Sequence, residues 1–196
     1  MCGRLAVRVC PDCLKSLSGL FFRFCVECGR DAPCATHPDG LVCRSVSTYR
    51  GVNRDLVHAM KYAGGRSIAT MMGELMAKTL PRPDVDFLVP VPLHNISARE
   101  YNQAALIAGG ASRVWKIPVE NSLRWASGSR NQALKSGRDA RELPDDAMES
   151  SDKIRGKCVL LVDDVCTTGN TLLAAKKALL RARAEIAGAM VWSRRV

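Results

Sequence analysis

Two acidic residues, Asp163 and Asp164, stand side by side directly after the apolar run Val159-Leu160-Leu161-Val162. Adjacent carboxylates repel, so such a pair needs solvent, a metal or hydroxyl donors beside it. The residues that follow are Val165, Cys166, Thr167, Thr168, Gly169, Asn170 and Thr171. They offer three hydroxyls, a series of backbone N–H groups and a glycine that lets the chain pass close to a ligand. An apolar, lysine-bearing stretch with helical spacing begins at once, and a helix N-terminus favours an anion. The loop therefore suits a phosphate, and the carboxylate pair, exposed at a strand end, suits a vicinal diol whose hydroxyls donate to it. A ribose 5-phosphate carries both groups. The Gly-Lys-Ser/Thr ending of a nucleotide-binding P-loop is missing here.

A second chemistry lies at the other end of the chain. Seven of the nine cysteines fall within residues 1–43, so their clustering needs its own explanation. Cys10-Pro-Asp-Cys13 and Cys25-Val-Glu-Cys28 are two C-x2-C knuckles, each able to aim two thiolates at one ion. Together they match the tetrahedral thiolate shell that structural zinc prefers. Gly29 follows the second knuckle, where a turn with positive φ is common. A segment this short and poor in large apolar groups takes much of its folding free energy from the metal. Cys10, Cys13, Cys25 and Cys28 are the expected ligands. Cys34-Ala-Thr-His37 is a further knuckle that can replace one pair or form a second half-site, with Cys43 and Cys2 nearby; a surface position is the other reading of His37.

The elements that must position these groups follow from periodicity. Residues 48–66 read as a turn and a helix with Leu56, Val57 and Met60 on one side, stopped at Gly64-Gly65. A second helix over 67–80 carries the stripe Ile68, Met72, Leu75 and Met76. Residues 87–94 form a short strand ended by Pro90 and Pro92, because proline cannot donate to a ladder. Residues 97–115 suit a helix with Ala104, Ala105, Ile107, Ala108 and Ala111 inside. Residues 117–125 read as a strand, and 126–150 are polar and aperiodic, the length of a functional loop. The strand ending in the acidic pair is followed by a helix with Leu172, Ala175 and Leu179 inward and Lys176, Lys177 and Arg181 outward. "EIAGAMVWS" is a last strand. Strands alternating with helices predict an α/β fold with a parallel sheet covered on both faces, and ligands bind at the carboxyl ends of such strands.

The chain as a whole sets the limits. Hydrophobic and charged contents of 47% and 24% are those of a globular protein with a real core. A net charge of +10 points toward anionic partners such as phosphates, nucleotides or nucleic acid. No apolar run is long enough for membrane insertion, and the first residues lack the apolar stretch of a secretory signal, so a cytoplasmic location is expected. Thiols stay reduced there, which again favours metal over disulfides. Aromatic residues are sparse; Tyr101, Trp115, Trp125 and Trp192 are the candidates for base stacking, and each is more often a core residue.

The stretch "VLLVDDVCTTGNTL" resembles the 5-phosphoribosyl 1-pyrophosphate (PRPP) motif of type I phosphoribosyltransferases: four hydrophobic residues, two acidic ones and a Thr/Gly-rich phosphate loop. A C-x2-C module ahead of such a domain resembles the competence protein F (ComF) family. "MKYAGG" is similar to that family's Lys-Tyr/Phe-x-Gly segment, "VPVPLH" to its Val-Pro-Val-Pro signature and "REYNQA" to its Arg-Gly-Phe-Asn-Gln-Ala, with Glu100 in place of the glycine. The family's Gln…Arg-x-x-Asn stretch is loosely echoed by Gln132, Arg138 and Arg141.

The resemblance implies a small N-terminal zinc-binding module over residues 1–48. It implies a type I phosphoribosyltransferase-like domain, a parallel sheet flanked by helices, over 49–196. It also implies roles. Asp163 and Asp164 would hold the ribose hydroxyls, directly or through Mg2+-bound water, and Val165 through Thr171 would cradle PRPP. His94, Arg99 and Arg138 would face pyrophosphate or phosphate, His94 being equally a surface histidine. Residues 126–150 would close over PRPP, with Arg124, Arg130, Lys135, Arg138 and Arg141 neutralising phosphates or forming a solvated basic loop. The function implied is PRPP binding in DNA uptake and natural transformation, with single-stranded DNA and competence-machinery proteins as partners. The alternative is an active phosphoribosyltransferase that transfers ribose 5-phosphate to a nitrogen acceptor, its catalytic residues unassigned.

Overall fold

The computed structural model describes residues 21–62, 65–93, 101–126 and 143–195. Strands β1 (Phe22–Cys25) and β2 (Val42–Thr48) precede helices α1 (Gly51–Tyr62) and α2 (Arg66–Thr79). Strand β3 (Phe87–Pro90) leads to α3 (Gln103–Trp115), then to the short strands β4 (Leu123–Trp125) and β5 (Met148–Ser150). Strand β6 (Cys158–Cys166), helix α4 (Asn170–Arg181) and strand β7 (Glu185–Arg194) complete the order. The main sheet runs β1-β2-β7-β6-β3, and β4 pairs with β5 apart from it. Strands β2, β7, β6 and β3 are mutually parallel, and β1 joins antiparallel at the edge. The fold is the α/β arrangement expected, with helices on both faces of a parallel-dominated sheet.

Period-two alternation divides the core. Leu160, Val162, Met190 and Trp192 face one way and pack with Leu56, Met60, Met72, Met76, Ile107 and Ala111 of α1, α2 and α3. Val159, Leu161, Ala189 and Val191 face the other way, toward Leu172, Ala175 and Leu179 of α4. Phe24, Val26 and Leu41 belong to this second cluster, so the cysteine-bearing segment shares the core of the sheet. Strand β2, on the module's side of the boundary expected at residue 48, pairs with β7 from Cys43↔Ala189 to Thr48↔Arg194.

Local differences from the sequence reading have physical causes. Residues 117–125 do not form one strand. Pro118 has no N–H to offer a ladder; its carbonyl accepts from Leu88 N at 2.9 Å and Glu120 N donates to Leu88 O at 3.0 Å, while regular pairing begins only at Leu123. Helix α3 starts at Gln103 because Asn102 caps it. The Asn102 Oδ1 accepts from Ala104 N at 3.0 Å, and its Nδ2 donates to Val91 O at 2.9 Å. That one side chain ties the helix start to the loop after β3. Ala105 is half-buried rather than inside, and Gly65 caps the start of α2.

Helices α2 and α3 approach at two glycines. A Cβ on Gly73 would sit 1.9 Å from Ile107 O, and one on Gly110 would sit 2.0 Å from Thr70 O. Both obstacles are backbone. Gly109, one residue away, has open space beside it. Gly73→Ala and Gly110→Ala should each destabilise the fold by about 1–3 kcal/mol through overpacking. Gly109→Ala should stabilise it by up to about 1 kcal/mol through helix propensity. Chemical denaturation of the three variants checks this, and equal effects at Gly109 and Gly110 would refute the close approach.

Candidate functional site

The acidic pair lies within the last four residues of β6. Strand β3 pairs with β6 only as far as Pro90↔Val162, with one more bond from Val91 N to Val162 O at 2.9 Å. Pairing of β3 with β6 stops at this Pro90-Val91-Pro92 segment. Strand β6 continues alongside β7 to Cys166↔Arg194, so Asp163 and Asp164 stand where one neighbour has already departed. Alternation sends their side chains to opposite faces. On the α1 side, Asp164 Oδ2 meets Lys61 Nζ at 2.9 Å, and the two side chains are only 11% and 19% exposed. Asp163 is half-buried, and its Oδ1 accepts from the Asp164 N–H at 2.8 Å. Asp164 is therefore not the exposed carboxylate the sequence suggests. It is a buried acid held by a lysine that sequence reasoning gave no role, although Lys61 lies inside the "MKYAGG" segment.

The turn after β6 has the form an anion loop needs. Thr167 and Thr168 are exposed, and Val165, Asn170 and Thr171 are half-buried. Cys166 is buried in the core, its thiol pushed up to about 11 by burial and then by Asp163. Gly169 caps α4 with φ +82°, a conformation that favours glycine. Thr168 Oγ1 lies 3.5 Å from Asn170 N, and Leu173 N donates to Gly169 O at 2.9 Å. The threonine hydroxyls and the first N–H groups of α4 thus share one end of the helix. His94, Arg99 and Arg138 lie outside the described residues, as do Arg130, Lys135 and Arg141. Arg124 is paired across β4 and β5 with Glu149 at 2.5 Å.

Among the described residues one group of donors can hold a metal ion. The ligand atoms of Cys25, Cys28, Cys34 and His37 all lie within 4.8 Å of one another. Cys28 Sγ and Cys34 Sγ are 3.5 Å apart, and His37 Nδ1 is 3.7 Å from Cys34 Sγ and 3.8 Å from Cys25 Sγ. Zinc–sulfur bonds of about 2.3 Å require tetrahedral edges of about 3.8 Å, so this set fits a closed structural zinc site. Of the four cysteines expected as ligands, Cys25 and Cys28 belong to the group, and Cys10 and Cys13 lie outside the described residues. Cys34 and His37, the alternative knuckle, complete the four donors. Gly29 has φ +72°, the turn its place after the knuckle demands.

Local electrostatics separates the thiols. The His37 ring holds Cys34 down at about 6, whereas burial, with a hydrogen bond to Glu27, pushes Cys25 up to about 12. Burial by itself would raise Glu27 as well. The Leu41 N–H, the Cys25 thiol and Lys176 outweigh it and keep that carboxyl below its ordinary range. Cys43 is fully buried in the core beside β7, and the four donors do not include it.

Of the aromatic candidates, Trp115 and Trp192 are buried, Trp125 Nε1 donates to Pro92 O at 3.0 Å, and Tyr101 OH donates to Met60 O. Sequence reasoning missed a different cluster. Tyr49 OH and His58 Nε2 are 3.2 Å apart, and the His58 and Tyr62 rings are 6.0 Å apart. Tyr62 is 72% exposed. His58 and Tyr62 are four residues apart on α1, a spacing that places side chains together. Lys61, the partner of Asp164, precedes Tyr62 in the last turn of α1, with Lys61 turned inward and Tyr62 outward.

A family model described as the phosphoribosyl transferase domain matches residues 88–195. Two relatives are named Competence protein ComFC. The one from Bacillus subtilis (strain 168) is 28% identical, with 88% of this chain and 78% of the relative covered. The one from Streptococcus pneumoniae (strain ATCC BAA-255 / R6) is 24% identical, with 93% and 79% covered. Among solved structures, the glutamine phosphoribosylpyrophosphate amidotransferase from B. subtilis, complexed with ADP and GMP, aligns with a TM-score of 0.43 and 18% identity. That alignment covers 65% of this chain and 26% of the enzyme.

If the four-donor group holds zinc, Cys34→Ser should lower bound zinc by about one ion per chain, because a closed site loses affinity with any ligand. Cys43→Ala should leave zinc unchanged. Elemental analysis of the purified variants decides it, and full zinc retention by Cys34→Ser would remove Cys34 from the site.

Proposed function

The chain belongs to the phosphoribosyl transferase domain family, as a competence-associated protein of the ComF group, and on that premise we propose that it binds PRPP or another ribose phosphate at the carboxyl end of β6. The observation that carries the reading is the juxtaposition of Asp163, Asp164 and a Gly169-capped threonine loop at the start of α4. The threonine hydroxyls and the α4 N–H groups receive the 5-phosphate. Asp163 accepts from the ribose hydroxyls, and Asp164 joins it by exchanging Lys61 for the ligand. Mg2+ bound with PRPP would screen the charge between pyrophosphate and the two carboxylates. Zinc held by Cys25, Cys28, Cys34 and His37 has a structural role. Residues 94–99 and the segment joining β4 to β5 are proposed to meet the pyrophosphate.

The biological setting we propose is handling of internalised single-stranded DNA during natural transformation, in the cytoplasm and alongside other competence proteins. Among the described residues no helix is long and apolar enough to cross a membrane. The strip Tyr49, His58 and Tyr62 favours direct contact with a single strand, because the exposed His58 and Tyr62 rings, beside half-buried Tyr49 and flanked by Arg50 and Arg54, offer stacking together with phosphate neutralisation. Transfer of ribose 5-phosphate to a nitrogen acceptor is the second reading, and the same carboxylates and loop favour it.

Titration calorimetry with PRPP tests the pocket. Asp163→Asn is the variant of choice, since replacing Asp164 would also leave Lys61 without its partner. It should weaken PRPP at least about tenfold, the loss of a charge-assisted hydrogen bond, with the unfolding midpoint nearly unchanged. Parent-like affinity would end the assignment.

A separate titration with an oligonucleotide tests the strip. Tyr62→Ala should cost about 1–3 kcal/mol of single-strand affinity without changing its salt slope, whereas Arg50→Ala with Arg54→Ala should flatten that slope. Failure of the parent to bind single strands even at low salt would leave the small-molecule phosphoribosyl role standing.

A further inference from the structure

The metal group and the phosphate loop are adjacent in space although 130 or more positions separate them in the chain. Val26 sits inside the Cys25–Cys28 knuckle, is 4% exposed, and is fastened by its N–H to Leu41 O at 2.9 Å. A Cβ built on Gly169 would lie 2.4 Å from Val26 Cγ1 and 3.1 Å from Val26 O. The glycine at the heart of the loop therefore rests directly on the knuckle.

Two further ties reinforce this contact. Glu27, also between the knuckle cysteines, accepts from Lys176 Nζ of α4 at 3.0 Å, and the same ammonium donates to Asp39 O at 3.0 Å. Glu27 also accepts from Leu41 N at 2.9 Å, so this residue between the knuckle cysteines joins the metal group to the helix that begins at the loop. At the end of β7, Arg194 donates to Gly29 O and lies 4.3 Å over the Phe24 ring. Arg194 pairs with Cys166, the last residue of β6, and Arg195 N donates to Cys166 O at 2.9 Å. The knuckle thus touches the loop glycine, the loop's helix and the strand pair that launches the loop.

From this geometry we propose that the knuckle is the back wall of the ribose-phosphate loop, with Val26, Glu27, Lys176 and Arg194 as positioning residues, so that metal binding and ribose-phosphate binding are thermodynamically linked. The inference rests on reading residues 163–171 as a ribose-phosphate site. The physical basis is that residues 25–41 contain little regular structure and bury few large side chains. Their shape comes from converging four donors on one ion. When the ion leaves, Val26 is no longer held against Gly169, and a ligand must order the loop at its own expense. Linkage is reciprocal: ribose phosphate bound at the loop must tighten metal at the knuckle by the same factor.

The test uses the full chain and PRPP as probe. The PRPP affinity of the zinc-loaded protein should exceed that of the chelator-stripped protein by about 5–150-fold, the usual range for coupled sites. PRPP should raise zinc affinity, read by competition with a chromophoric chelator, by the same factor. Because the stripped chain can unfold, two zinc-loaded variants provide an independent measurement. Val26→Ala and Lys176→Met keep all four metal donors and the whole threonine loop. Each should retain the parent's zinc stoichiometry, weaken PRPP at least fivefold, and bring the effect of PRPP on zinc affinity toward unity. If the parent does not bind PRPP at all, the ribose-phosphate reading fails and this inference falls with it. If the parent binds PRPP and both variants match it in PRPP affinity and in coupling, the wall is only a packing contact and the inference is overturned while the pocket stands.

Discussion

Strand β6 runs four residues past its last paired position with β3, and the candidate site depends on that mismatch in length. Up to Val162 the strand is sandwiched between β3 and β7 and covered on both faces, an environment that tolerates only apolar side chains. From Asp163 onward β7 alone supports it. Backbone pairing on that side keeps the chain extended and rigid, while the departure of β3 opens the other edge. The departure falls at the Pro90-Val91-Pro92 segment, and the last bond across it runs from Val91 N to Val162 O. The carboxylates therefore stand on a rigid strand with one flank open.

The same alternation that builds the core makes the two acids unequal. Asp164 follows the phase of Val162 toward α1, and at that depth an unpaired carboxylate would be costly. Lys61 supplies the partner at 2.9 Å. Asp163 follows the opposite phase and stays half-buried, turned back on the N–H of its neighbour. A pair that looks symmetrical in one dimension becomes one acid held by a lysine and one near the surface. The lysine also ties the end of α1, with its aromatic strip, to the strand.

The cysteine-rich segment adds strand β1 to the sheet, places Phe24, Val26 and Leu41 in the main core, and reaches α4 through Glu27 and Lys176. Three apolar residues bury too little surface to organise such a segment, and four converging metal donors are the feature that can. Its knuckle then becomes part of the surroundings of a loop far away in sequence.

The sequence alone determined the four helices and strands β3, β6 and β7, whereas strands β1, β2 and β5 were not read from it and 117–125 is not one strand. The apolar run before the acidic pair, the stripes of α1, α2 and α4, and the prolines after β3 depend on local chemistry, and each was legible for that reason. So was the cysteine spacing, because a C-x2-C knuckle closes on an ion within its own turn. Only tertiary structure decided which groups meet across long separations. Nothing local relates Lys61 to Asp164, Val26 to Gly169 or Arg194 to Gly29. Spacing favoured Cys10 and Cys13 as the partners of Cys25 and Cys28, whereas the structure groups Cys34 and His37 with them. Those pairings follow from strand order. With β7 lying between β2 and β6, the ends of elements remote in the chain are brought within hydrogen-bond reach of one another.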